Sequence, residues 1–155
     1  MKTKIFVNVG TTYPFDRLTR KMDFIAKNKK YEIFLQIGKS NYSPKNCKYK
    51  DFFDDVNFQK MLNWADIVVS HAGVGSILEV IGTKKKLILI PRMKKFEEAV
   101  DDHQIEICKA FEEKFGIPWE ADAKNLTKHF SKNTSVKIKK TGKLASEIKK
   151  LLVKK

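Results

Sequence analysis

Short apolar runs alternate along this chain with stretches in which apolar residues recur at helical spacing. Residues 4–9, 31–37, 67–69 and 87–90 are dense in β-branched and aliphatic side chains and predict buried strands. Residues 49–53 and 117–119 predict two shorter ones. Between them, Phe15, Leu18, Met22 and Ile25 define one helical face. Phe58, Met61, Leu62 and Ala65 define a second within a helix predicted over 56–64. Residues 76–81 open a third helix, which Gly82 breaks. Residues 101–115 predict a long fourth helix with Ile105, Cys108, Phe111 and Phe115 on one face and Gly116 as its stop. Residues 39–48 and 92–100 are polar enough to predict loops, and 126–130 a further helical turn. Residues 132–140 predict a mobile basic segment. Leu144, Ile148, Leu151 and Leu152 predict an amphipathic helix over 141–155 with a lysine-rich polar face. Strands alternating with helices give one α/β domain over 1–155, built on a doubly wound, mainly parallel, Rossmann-like sheet.

The rest of the chain is organised around residues 66–79, from Asp66 through Ser70, His71, Ala72, Gly73, Val74, Gly75 and Ser76 to Glu79. The pattern is a strand over 67–69, a polar turn over 70–75 and then a helix. A glycine turn lets the backbone approach an anion, and the free N–H groups and dipole of a helix N-terminus favour negative charge. The third glycine of a dinucleotide fingerprint is missing, because Leu78 stands in its place. Ser76 and Glu79 also fit a capping box, in which Glu79 only reaches back to a backbone N–H. Ligands of such sheets bind beyond the carboxyl ends of the strands. Those ends are 10–12, Gly38, 70–75 and Pro91-Arg92, all carrying glycine, small polar residues or arginine. This convergence predicts a phosphate-bearing ligand, with Arg92 among its contacts.

Length and composition narrow the classes. At 155 residues, with 42% hydrophobic and 32% charged, the chain is an ordinary globular domain able to bury a core. No apolar run approaches the roughly 20 residues of a membrane span. Cys47 and Cys108 have no metal or redox spacing, which favours a reduced, cytosolic compartment. The formal charge of +14 comes almost entirely from lysine, since the arginines are Arg17, Arg20 and Arg92 alone. Arginine is the usual reader of bases, so this surface suits solvent or anionic lipid better than specific nucleic-acid recognition.

Four pieces match one family. They are residues 6–12, ending Gly10-Thr11-Thr12; residues 35–38; residues 65–79; and Asp102-His103-Gln104. Together they resemble the catalytic subunit of the two-subunit N-acetylglucosaminyltransferase of dolichol-linked oligosaccharide synthesis and its bacterial counterparts in exopolysaccharide and capsule assembly. Such chains are similar to the detached C-terminal half of a GT-B glycosyltransferase, related to the enzyme that adds N-acetylglucosamine to lipid I. The resemblance implies a UDP-sugar donor, transfer with inversion to a polyprenyl-diphosphate-linked acceptor, and no cofactor or metal in the site. It implies that Glu79 accepts hydrogen bonds from the ribose hydroxyls. Gly73, Val74, Gly75 and Ser76 would offer N–H groups to the diphosphate, with Gly10, Thr11 and Thr12 facing it from the neighbouring strand end. Asp102, His103 and Gln104 would sit over the donor sugar, and residues 49–53 on the uracil side.

Other roles are open for some of these residues. Asp101 and Asp102 could simply complement the dipole of the helix they open. His71, at a strand end, could contact phosphate, shuttle a proton, or bond the turn backbone. A sugar transfer needs a base near the acceptor hydroxyl, and the resemblance implies that this base and the acceptor groove belong largely to an N-terminal half for which no segment here can substitute. The expectation is therefore a membrane-anchored partner subunit that binds the acceptor and holds this chain peripherally at the cytoplasmic face. The 141–155 helix would dock on that subunit or on anionic lipid, or simply pack on its own sheet. The rival functions are a non-catalytic accessory subunit, a lysine-driven lipid or nucleic-acid binder, and a nucleotide-sugar epimerase.

Overall fold

A computed structural model describes residues 1–131 together with Ser146 and Lys150. The basic segment 132–140 and the helix expected over 141–155 therefore lie outside the described residues, apart from those two positions. Strands β1 (Thr3–Asn8), β2 (Tyr31–Gln36), β3 (Lys48–Lys50), β4 (Ile67–His71) and β5 (Lys86–Ile90) form one sheet in the order β3-β2-β1-β4-β5. Every pairing is parallel. Helices α1 (Asp16–Ile25), α2 (Asp55–Trp64), α3 (Val74–Ile81) and α4 (His103–Phe115) supply the covering layers.

The alternation of side chains along the strands divides the core in two. Phe6, Val68, Leu87 and Leu89 face one side, where Phe58 and Leu62 of α2, Ile77 and Val80 of α3, and Cys108 and Phe111 of α4 cover them. Ile5, Val7, Ile33, Leu35, Val69, Ile88 and Ile90 face the other, under Leu18, Met22 and Ile25 of α1 and Leu126. Burial on both faces is why these strands read as nearly continuous apolar runs.

The elements depart from the sequence expectation at their ends. β4 runs to His71 because Ser70 and His71 stay in register with Leu89 and Ile90 of β5, so the turn is shorter than residues 70–75. α3 starts at Val74 with Gly73 as its N-cap. Ser76 is therefore inside the helix, not at its cap, and the Ser76–Glu79 capping box is not formed. α4 begins at His103, and its buried face carries Ile107, Cys108 and Phe111, with Ile107 in place of the expected Ile105. The strand expected over 117–119 shrinks to a single bridge between Trp119 and Leu89, since Pro118 has no N–H to donate. The loop 92–100 contains a 3-10 turn, Lys94–Phe96, and the turn near 126–130 is a 3-10 segment, Ala123–His129.

β1 and β4 are neighbours whose connections leave in opposite directions along the sheet. Their carboxyl ends, at Asn8 and His71, therefore open the crevice where such sheets bind ligands.

Candidate nucleotide-binding site

A cleft of about 260 Å³ lies at that crevice. It is lined by Gly10, Thr11 and Thr12 after β1, by His71, Gly73, Gly75, Ser76 and Glu79, and by Phe52, Phe53 and Asp55 ahead of α2. Eight of the sequence-predicted residues thus meet in one place. A larger cleft of about 590 Å³ lies near Tyr31, Cys47 and Trp64, towards the amino end of β2. It has neither a free helix N-terminus nor a strand-end glycine turn, and its chemistry does not single out a ligand.

The glycines of the site do two different jobs. A Cβ on Gly10 would come within 2.7 Å of the His71 ring and one on Gly73 within 2.3 Å of it. These two glycines make room for an imidazole wedged between the β1 and β4 loops. At Gly75 a Cβ would meet nothing within 4 Å, so this glycine leaves open space at the first turn of α3. Gly38, at φ +54°, touches the Gly10 carbonyl so closely that a Cβ would stand 2.2 Å from its oxygen.

Behind the cleft runs a chain of hydrogen bonds whose direction is set by backbone donors. Phe53 N–H donates to Gln36 Oε1 (2.9 Å), which turns the amide nitrogen of Gln36 onto Asn8 Oδ1 (2.9 Å). Gly10 N–H also donates to Asn8 Oδ1, and Asn8 Nδ2 donates to Ser76 Oγ, each at 3.0 Å. From the other side, Ala72 N–H (3.1 Å) and Arg92 N–H (2.9 Å) donate to Gln104 Oε1. Gln104 Nε2 then faces His71 Nδ1 at 3.4 Å, and His71 Nε2 faces Ser76 Oγ at 3.2 Å. Burial, with a smaller push from the Arg92 guanidinium, lowers the His71 pKa to about 3, so the ring is neutral. Both its nitrogens are engaged inside the chain.

Five predicted contacts lie outside the cleft lining. The Arg92 side chain turns away from it and donates to the carbonyls of Val9 and Pro14. Burial lowers its pKa to about 10, still fully cationic at neutral pH. Asp102 accepts from Lys94 N–H (2.9 Å), and His103 Nδ1 lies 3.3 Å from Glu106. The carbonyl of Gln104 binds the two strand ends described above. Val74 faces the core, so only its backbone is oriented for a ligand. Glu79 is exposed at the rim. Burial and then the nearby Asp55 raise its pKa above the usual glutamate value.

Asn8, Gln36 and Asp55 are the site residues that sequence reasoning did not single out. The signal for Asn8 and Gln36 was a polar side chain inside an apolar run. Both are buried, at 2% and 4% exposure, and a buried amide has to find partners. Among the described residues, no group of His, Cys, Asp and Glu side chains is placed to hold a metal ion.

The comparisons with known proteins bear on the family and the fold. Residues 4–154 match the model of the glycosyltransferase family 28 C-terminal domain. The UDP-N-acetylglucosamine transferase subunit ALG13 of Homo sapiens is 31% identical over 119 residues, covering 68% of this chain and 10% of that protein. The UDP-N-acetylglucosamine--N-acetylmuramyl-(pentapeptide) pyrophosphoryl-undecaprenol N-acetylglucosamine transferase of Streptococcus agalactiae is 34% identical over 98 residues, 59% of this chain and 26% of that enzyme. The chain thus spans only a tenth to about a quarter of the length of these relatives. Among solved structures, the glycotransferase of kitacinnamycin superposes with a TM-score of 0.58 at 18% identity, covering 79% of this chain and 31% of that one. The glycosyltransferase SnogD from Streptomyces nogalater superposes with 0.52 over the same shares. These likenesses show the fold alone, a Rossmann-like domain of the GT-B type. With nearly its whole length matched, the chain belongs to the glycosyltransferase family 28 C-terminal domain family.

Proposed function

We propose that this chain is the donor-binding half of an inverting glycosyltransferase. It would bind a UDP-sugar and support transfer of a hexose or N-acetylhexosamine to a polyprenyl-diphosphate-linked acceptor. The observation that carries this reading is one cleft at the β1/β4 switch point. There the N-terminus of α3, the loop 10–12 and the Glu79 carboxylate face the same space.

A ribose diol presents two donors to a carboxylate that can accept both, which suits Glu79. The diphosphate would lie over the N–H groups at the start of α3, beside open Gly75, with Ser76 and loop 10–12 around it. Phe52 and Phe53 would border the base. In an inverting transfer the acceptor oxygen attacks the anomeric carbon from the face opposite the nucleotide, and the bond to the diphosphate breaks. Negative charge grows on the leaving oxygen, where fixed dipoles aimed beforehand stabilise it. This reading assigns no metal or cofactor to the site.

His71 does not fit the part of general base. Its Nδ1 lone pair faces the Gln104 amide, and its Nε2 faces Ser76. The base, the acceptor groove and attachment to the membrane would then come from a partner, with this chain peripheral at the cytoplasmic face. Among the described residues no helix is long and apolar enough to cross a membrane. ALG13 is itself described as a transferase subunit, which supports a partner here as well.

Calorimetric titration with UDP, beside Glu79→Ala and with ADP as control, tests the proposal. Saturable binding that ADP does not reproduce and that the Glu79 change weakens is the expected result. No UDP binding, either to the chain alone or with a partner present, would remove the donor reading.

A further inference from the structure

The hydrogen-bond chain behind the cleft has a direction, and that direction ends at one proton. Backbone N–H groups can only donate. The two that reach Gln104 Oε1, from Ala72 and Arg92, oblige its amide nitrogen to face His71. His71 Nδ1 must then be the bare, accepting nitrogen, and a neutral ring carries its hydrogen on Nε2, towards Ser76. On the other side, Phe53 N–H fixes Gln36, and Gln36 with Gly10 N–H fixes Asn8, so the Asn8 amide nitrogen also points at Ser76. The Ser76 oxygen therefore receives two hydrogen bonds, one per lone pair. Its own hydroxyl hydrogen cannot go to either neighbour, and Ser76 lines the cleft.

We infer that His71 and Gln104 are positioning residues that, together with Asn8, lock the Ser76 hydroxyl as a one-way hydrogen-bond donor to a phosphoryl oxygen of the bound ligand. The inference deepens the donor-site reading above and rests on it for the identity of the ligand. It changes the roles of two residues. Gln104 acts through the imidazole, with one N–H of its amide directed at His71 Nδ1. His71 supplies an N–H to Ser76 rather than a lone pair to a substrate proton. The arrangement favours a ligand group that only accepts, such as an ionised phosphate, over a neutral hydroxyl.

Two kinds of measurement decide it. Long-range proton–nitrogen NMR on the labelled chain reads the imidazole directly. The expected spectrum has a bare Nδ1 and a protonated Nε2 on His71 at neutral pH. The opposite tautomer, or an imidazolium, overturns the inference. Calorimetry with UDP, inorganic diphosphate and uridine then compares wild type, Ser76→Ala and Ser76→Thr. Loss of one hydrogen bond to a charged group predicts about tenfold weaker binding of both phosphate ligands to Ser76→Ala. Uridine binding should be unchanged, and Ser76→Thr should be close to wild type. Unchanged phosphate binding by Ser76→Ala, or an equal loss for uridine, overturns the inference while leaving the nucleotide site standing. Binding of diphosphate that depends on Ser76, with no preference for UDP, supports the relay and removes the UDP-sugar reading. Binding of neither ligand, to the chain alone or with a partner present, removes both.

A cycle with His71→Phe separates positioning from direct contact. Adding it to Ser76→Ala should cost no further diphosphate affinity, whereas additive losses would mean that His71 meets the ligand itself and would overturn its role here. Thermal melts check that His71→Phe folds. If it does not, the tautomer and the Ser76 series still decide the question.

Discussion

The nucleotide cleft and the loop layer beside it are built from opposite materials, although they share the carboxyl rim of one sheet. Among the described residues, no lysine or arginine lines the cleft, in a chain with a formal charge of +14. Its ligand-facing groups are backbone N–H, hydroxyl, amide and imidazole, with Glu79 and Asp55 as its charges. The neighbouring layer is held by cations. Arg17 lies on Glu98 at 3.0 Å, donates to the carbonyls of Pro91 (3.0 Å) and Ala121 (2.8 Å), and stacks on Phe96. Arg92 ties Val9 and Pro14 from beneath, its guanidinium over the Phe15 ring. The difference teaches that the buried cations at this rim hold loops to one another. Dipoles already aimed, rather than flexible charges, are left to meet the ligand.

The sharpest way to break the comparison is to remove a cation from the loop layer. Arg17→Met leaves the buried Glu98 carboxylate without its guanidinium partner, and should cost about 3–5 kcal/mol of stability. Urea unfolding would read it. A loss below about 1 kcal/mol, the range of an exposed pair, would show that the clasp is not structural.

The two cleft glycines give the next largest contrast. Gly73→Ala drives a methyl into the His71 ring and should lower both the melting temperature and UDP affinity. Gly75→Ala adds a methyl to open space within a helix, so stability should hold or rise by up to about 1 kcal/mol, while UDP affinity falls. Equal behaviour of the two variants would contradict the division of labour between these glycines.

Acid should act on the cleft before it acts on an ordinary carboxylate. Burial and then Asp55 raise the Glu79 pKa, so its acceptor form is lost at a higher pH than the usual glutamate value of about 4.3. UDP affinity should fall as pH drops through that raised value, and Asp55→Asn should move the fall to lower pH. The sign for folding is opposite. A raised carboxyl pKa contributes stability at low pH that is lost as pH rises through the folded value, so Glu79→Gln should not destabilise at neutral pH. Affinity that is flat down to pH 4 would exclude Glu79 from the site.

The smallest expected effect concerns salt. With neutral donors in the cleft, UDP affinity should change by no more than about twofold between 50 and 200 mM salt, because screening acts mainly on exposed charges. Nonspecific polyanion binding by the lysine surface should fall steeply over the same range. A steep salt dependence for UDP would place a cation in the site after all.

The fold was legible because burial on both sheet faces leaves a plain apolar signature at every long strand. The cleft was legible at Gly10, Gly75 and Glu79, where local pattern and chemistry coincide. Direction of hydrogen bonding was not. The Gln104 amide can donate or accept, and what decides is a pair of N–H groups 32 and 12 residues away in the chain. Arg92 has the chemistry of a phosphate clamp, but carbonyls 83 and 78 residues distant claim its guanidinium. Ser76 fits a cap by spacing alone, yet the strand pairing that carries β4 on to His71 is followed by a helix that starts earlier. Such choices are made by tertiary neighbours, which spacing does not encode.

The bond between Asn8 and Ser76 joins residues 68 positions apart. It sits at the seam where β1 meets a strand that comes more than half a hundred residues later. Loop-closure entropy of that span must be overcome before any part of the cleft exists. The ligand site therefore cannot form as a local nucleus ahead of the sheet. It forms only with the pairing of β1 and β4, so whatever loosens that seam dismantles the ligand site with it.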